Sequence, residues 1–121
     1  MYNPIEINSK FIELVRQNPD LPILAWVNYE VCDDCDHSWL GEIQDSTIEE
    51  YTMFEMYNDG ADCVTRNNAD DICDYLTDYW YDTEPYKSMS DEDFEKYVEN
   101  YVNNLEWKKA IFIWVETPDN I

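Results

Sequence analysis

Ala110-Ile111-Phe112-Ile113-Trp114-Val115 is an unbroken apolar run close to the end of the chain. A strand with one wet face alternates apolar and polar residues, whereas a run without alternation suits a strand covered on both faces. This stretch is therefore expected at the centre of a sheet. Two helical patterns precede it. The nearer starts at Ser90, a good N-cap with Asp93 placed to complete a capping box. Asp91, Glu92 and Asp93 suit the positive end of that helix. Phe94, Tyr97, Val98, Tyr101, Val102 and Leu105 form its expected buried stripe, with Glu95 and Glu99 facing water beside Lys96. The farther helix carries Ile72, Tyr75, Leu76, Tyr79 and Trp80 at the spacing of one apolar face.

Four strand patterns lie upstream. Leu21 to Val31 alternates through Ile23, Ala25, Val27 and Tyr29, with Leu24 and Trp26 on the other face. Trp39 to Gln44 and Thr47 to Tyr57 read as two strands joined by a short turn at Asp45-Ser46. Asn58-Asp59-Gly60 is a turn signal leading to a short strand from Asp62 to Arg66. At the start, Asn8 is a candidate cap for a helix with Phe11, Ile12, Leu14 and Val15 inward, stopped by Pro19. The order α-β-β-β-β-α-α-β predicts an α+β fold: a mainly antiparallel sheet of about five strands with three helices packed on it. At 121 residues, one compact domain over 1–121 is expected.

Charge narrows the function. The chain holds 28 Asp and Glu against seven Lys and Arg, a formal charge of −21, yet it is 45% hydrophobic and 16% aromatic. A disordered acidic tail lacks the apolar surface to offset chain entropy, so this is folded sequence. Four of the cations, Lys10, Arg16, Lys108 and Lys109, sit near the chain ends. Arg66, Lys87 and Lys96 are left to relieve the long acidic interior. Solubility in a small domain needs a net charge of roughly 2–8. The excess opposes compaction by self-repulsion. An acidic or halophilic cytoplasm is one reading; a surface that imitates a polyanion is the preferred one. Direct nucleic-acid binding is disfavoured because phosphates need facing cations. No window of about 18 uncharged apolar residues suits a membrane span. The first residues lack the pattern of a secretory signal, so a cytoplasmic location with reduced thiols is expected.

The sharpest local feature is Asp70, Asp74, Asp78 and Asp82, each four residues apart. On one helix they would form a column, since four residues rise about 6 Å. Each like-charge pair at that spacing costs roughly 0.2–0.5 kcal/mol, so three pairs cost about 1 kcal/mol. Asp70 and Asp71 recover part of this at the helix N-terminus; Asp78 and Asp82 cannot. A pattern that opposes its own helix points to function. These four aspartates are the expected partner-binding strip, with Glu49, Glu50 and Glu55 as a second possibility on a strand edge. Tyr79 and Trp80, with Tyr81 and Tyr86 after them, place aromatics beside the carboxylates. That combination suits an arginine-rich protein partner through cation–π contacts and paired hydrogen bonds. Trp26, Trp39, Trp107 and Trp114 are expected to pack in the core.

Cys32-Asp33-Asp34-Cys35 with His37 nearby has two-cysteine metal spacing, and Cys63 or Cys73 would supply a fourth ligand for a structural zinc. Cys63 and Cys73 do not form the second close pair of a typical zinc module, and Cys73 also fits as a small buried side chain. No other cofactor is expected. Catalysis is not expected either: there is one histidine, no Gly-x-Ser-x-Gly motif, and the two glycines, Gly41 and Gly60, cannot build a phosphate loop.

Leu21-Pro22-Ile23 opening a strand, Trp39-Leu40-Gly41-Glu42 turning into the next, Ile48-Glu49-Glu50-Tyr51, and the passage into a helix at Asp70-Asp71-Ile72 carry a resemblance over about half of the chain. In these stretches the chain resembles small acidic phage- or prophage-encoded proteins of Gram-positive bacteria, among them anti-CRISPR inhibitors that mimic DNA. The resemblance implies a stoichiometric inhibitor whose carboxylates occupy the DNA-binding or motif-reading cleft of a basic CRISPR effector nuclease. It transfers no individual site residue. Two alternatives carry similar physics or composition: an immunity or antitoxin-like protein that neutralises a basic toxin nuclease, and a zinc-stabilised structural phage protein.

Overall fold

The computed structural model of the chain describes residues 3–28, 31, 40–56 and 60–118. They form an α+β fold with three helices and four strands: α1 (Pro4–Gln17), β1 (Ile23–Val27), β2 (Glu42–Glu55), β3 (Ala61–Thr65), α2 (Ala69–Trp80), α3 (Asp91–Asn103) and β4 (Lys108–Glu116). The strand order in the sheet is β1-β4-β2-β3. The uninterrupted apolar run thus lies in an interior strand, and Ala110, Ile111 and Phe112 are buried on both faces. The chain groups into two compact units, residues 1–49 with 109–121 and residues 50–108.

Four strands, not about five, make the sheet, and it is mixed. The two strands expected on either side of Asp45-Ser46 are one continuous strand, β2. Asp45 accepts the Ser46 N–H at 2.8 Å, the local bond that makes Asp a turn former, but it also takes Lys10 Nζ at 2.8 Å. That ion pair ties the segment to α1, and Ser46 is fully buried within the strand, its hydroxyl without a hydrogen-bond partner among the described residues. The second departure is β1, which pairs with β4 in parallel, Ile23 opposite Ile111 through Val27 opposite Val115. These strands lie at opposite ends of the sequence, so no hairpin signal announces the pairing. β2 and β3 are antiparallel, Tyr51 opposite Thr65 through Glu55 opposite Ala61. Gly60, just before β3, has φ +90°, where a Cβ is disfavoured; Asn58 and Asp59 lie outside the described residues.

In the first unit, Asn3 rather than Asn8 caps α1. Its Oδ1 accepts the N–H groups of Ile5 and Glu6, and Pro4 fills the first turn, where a missing N–H costs nothing. Asn18 closes the helix on the Leu14 carbonyl, ahead of Pro19. Ile12, expected inward, is 57% exposed. The helical stripe that is half-buried runs through Ile7, Phe11, Leu14 and Val15, and Ile12 lies off it. One face of the β1–β4 pair holds Trp26, Phe112 and Trp114, with ring centroids 5.6 to 6.0 Å apart. Trp114 donates its indole N–H to Thr47 Oγ1 on β2 at 2.8 Å, so a half-buried ring has its polar atom satisfied.

In the second unit, Val64, Ile72, Leu76, Phe94, Val98 and Val102 make the core, which brings α2 and α3 together with β3. Ser90 caps α3 as expected, its Oγ accepting the Asp93 N–H at 3.2 Å. Two brackets hold the far end. Arg66 lies 4.7 Å over the Trp107 ring, with Nη2 donating to Asn103 Oδ1 at 3.4 Å. The Trp107 indole N–H donates to the Val102 carbonyl at 3.0 Å.

Candidate functional site

The candidate site is a groove of about 590 Å³ between α2 and α3. Asp70 and Asp74 line it from α2, with Cys73, Thr77 and Tyr81; Asp91, Glu95 and Glu99 line it from α3. The buried Phe94 and Val98 contribute its apolar part. The reason for this arrangement is helical. On α3 the residues Phe94, Val98 and Val102 point into the core, and the column Asp91, Glu95, Glu99 follows one step around the helix. On α2 the core residues are Ile72 and Leu76; Cys73 and Thr77 follow one step around the helix, and Asp70 and Asp74 lie farther round, at the outer side of the groove. Acidic residues of both helices thus line the one groove.

Five carboxylates in one groove repel each other, and among the described residues no ion pair engages any of them. Lys96, on the same helix, pairs instead with Glu92 at 3.3 Å. The Cys73 thiol records the local field: burial raises its pKa, and the charges of Asp70, Glu99 and Asp74 raise it further. The Cys63 thiol is raised by burial alone. Among the described residues no group of three or more His, Cys, Asp or Glu is placed to hold a metal ion. The groove is built as two walls of separate negative charges rather than as a converging ligand shell.

Of the acidic residues expected to bind a partner, the structure brings only Asp70 and Asp74 into this groove, where Cys73 and Tyr81 also lie. Asp78 is exposed on α2 outside its lining, and Asp82 lies beyond the end of the helix, which stops at Trp80. The expected column of four is therefore two residues in the groove, one beside it and one after it. Glu50 and Glu55 are exposed on β2, and Glu49 is half-buried; strand alternation puts Glu50 and Glu55 on opposite faces, so they form no joint patch. Tyr79, expected on the apolar face, is 65% exposed and stacks on Tyr75 at 5.8 Å. Trp80 is half-buried against Tyr86, their rings parallel within 10° at 4.8 Å. Cys32, Cys35 and His37 lie outside the described residues, while Cys63 and Cys73 are free, half-buried thiols.

The column that sequence reading missed is Asp91-Glu95-Glu99. Its signal was present, the same four-residue spacing as on α2, but the cap role of Asp91 and the solvent-facing pattern of Glu95 and Glu99 explained it too easily.

Comparison with protein families, curated proteins and solved structures finds no match for this chain. Fold and site together define an acidic α+β protein with an acid-walled groove between two helices. Among the described residues no helix is long and apolar enough to cross a membrane.

Proposed function

We propose that this chain is a binding protein without catalytic activity, a phage-encoded inhibitor that mimics DNA and acts in the cytoplasm of a bacterial host. Its target in this reading is the basic nucleic-acid cleft of a type II CRISPR effector nuclease. The observation that carries the reading is the acidic groove, Asp70 and Asp74 of α2 with Asp91, Glu95 and Glu99 of α3, with no ion pair to them among the described residues. Carboxylates in two rows offer cations what the two phosphate strands of a duplex offer them. An effector of this kind reads a short duplex motif with arginines in a basic channel. Arginine meets carboxylate in bidentate pairs, which favours this geometry over a single diffuse charge. The net charge of −21 adds long-range attraction and speeds encounter at low salt.

The test is competition. Excess protein is expected to block DNA binding and cleavage by a purified, guide-loaded type II effector, with potency that falls as salt rises. The double variant Asp74→Lys, Glu95→Lys is expected to lose inhibition with its circular dichroism unchanged. Undiminished inhibition by that folded variant would exclude the groove as the binding surface. Unhindered cleavage in the presence of excess wild-type protein would exclude the effector as target, and a basic toxin nuclease assayed in parallel examines the immunity alternative.

A further inference from the structure

On α3 the core residues Phe94, Val98 and Val102 are flanked on one side by the acidic column and on the other by Tyr97 and Tyr101. The apolar pattern places both tyrosines in the interior stripe, but they are 41% and 42% exposed. Neither is loose. Trp80 meets the Tyr97 ring at 5.9 Å and the Tyr101 ring at 5.2 Å, both edge to face. Tyr86 stacks on Trp80 and lies 5.4 Å from Tyr97. The neighbouring Tyr97 side chain raises the Tyr86 phenol pKa. Two exposed aromatic rings are thus held in fixed orientation by a tryptophan and a tyrosine behind them.

Beside these rings is a shallow groove of about 630 Å³, which Tyr97 and Tyr101 line together with Asn100, Asn104 and Glu106. Asn104 uses its side-chain N–H on the Asn100 carbonyl at 2.8 Å, which leaves its amide oxygen as an acceptor. Glu106 is highly exposed and meets Lys108 only at 4.0 Å. The groove therefore offers π faces, amide oxygens and a carboxylate to one occupant. A planar cation that stacks and donates in its own plane matches all three; an ammonium matches only the charge.

We propose that this tyrosine shelf is a docking surface for an arginine side chain of a basic protein partner. The inference rests on the proposed function for the partner's positive charge and adds its chemistry: the acidic groove takes cations in general, and the shelf selects arginine over lysine. Held aromatic rings cost little further ordering when the guanidinium arrives, which is what makes such a surface an anchor.

The probes are deca-arginine and deca-lysine peptides, titrated into the full chain at low and moderate salt. Both are expected to bind, deca-arginine more tightly. Tyr101→Leu is expected to weaken deca-arginine by about threefold to fivefold while leaving deca-lysine unchanged, and Glu106→Gln to weaken both peptides, deca-arginine more. Glu106 is exposed and outside the core, so that variant remains informative if Tyr101→Leu perturbs folding. An arginine preference that survives both variants in folded protein overturns the shelf but not the acidic groove. Failure of both peptides to bind at low salt overturns the proposed function, and the shelf with it.

Discussion

Lys10 on α1 reaches Asp45 on β2 across 35 residues of sequence, Nζ to Oδ1 at 2.8 Å. The ammonium hydrogen bond, helped by the Ser46 N–H, holds the Asp45 carboxyl below its ordinary value of 3.8 against a smaller opposing effect of burial. A depressed carboxylate pKa stabilises the fold above the unfolded value and loses that contribution as pH falls through the folded one. Both side chains are about half exposed, so the pair is worth under about 1 kcal/mol. Lys10→Met is expected to lower stability by that amount near neutral pH. The difference from wild type should vanish once pH drops well below 3.8, as read by urea titration at both pH values.

Gly41 is placed so that a Cβ would collide with Val115 Cγ1 on β4. Gly41→Ala is expected to destabilise by about 1 kcal/mol, the low end for an overfilled site, because Gly41 is exposed and Val115 only half-buried. Val115→Ala in the same chain should return part of that loss. Denaturant unfolding of the two single variants and the double variant checks it: simple additivity would mean the two residues do not meet.

Cys73 is a built-in reporter of the acidic groove. Its thiol is raised above 9.0 by burial and by Asp70, Glu99 and Asp74, so the thiolate fraction at pH 8 is low. Salt screens the carboxylates but not the burial. Alkylation of Cys73 by iodoacetamide, followed by peptide mass mapping, is expected to accelerate with salt and in Glu99→Gln. Cys63, raised by burial alone, should respond to neither. In stability, the raised thiol favours the folded state below 9.0, and that preference fades as pH climbs through the folded value.

Arg66 closes the second unit through Trp107 and Asn103. Arg66→Ala is expected to cost about 1 kcal/mol, and Arg66→Lys to recover only part, because an ammonium cannot stack a plane on the ring and reach Asn103 at once. Thermal unfolding compared with wild type measures this. Equal stability of all three proteins would reduce the contact to a surface coincidence.

A chain of net charge −21 should also gain stability from salt itself. Raising ionic strength from 0.01 to 1 M shortens the Debye length from about 30 to about 3 Å, which quenches repulsion between carboxylates that folding brings together. The unfolding midpoint is expected to rise over that range. A flat response would mean the unfolded chain is as strained as the folded one.

Much of this was legible in the order of residues. The interior place of β4 followed from its lack of alternation, and the cap at Ser90 from local hydrogen-bonding chemistry. Asn3 and Asn8 both suit a cap, and only Pro4 in the first turn distinguishes the true one. Tyr97 and Tyr101 fit the inward stripe by spacing yet are exposed, because periodicity says which face turns inward but not how wide that face is. Asp82 was counted on a helix that ends at Trp80, since nothing at the boundary spells a stop as a glycine would.

Composition and spacing by themselves settled the α+β class, the folded rather than disordered state, and the acidic spacing along α2, because these depend on local periodicity and on counting. Tertiary structure alone decided that β1 runs parallel to β4, that Asp45-Ser46 stays extended, and that acidic residues of α2 and α3 line one groove. Each of these is a meeting of residues far apart in the chain. The free energy of such a meeting belongs to the pair, and neither partner's own sequence neighbourhood carries it.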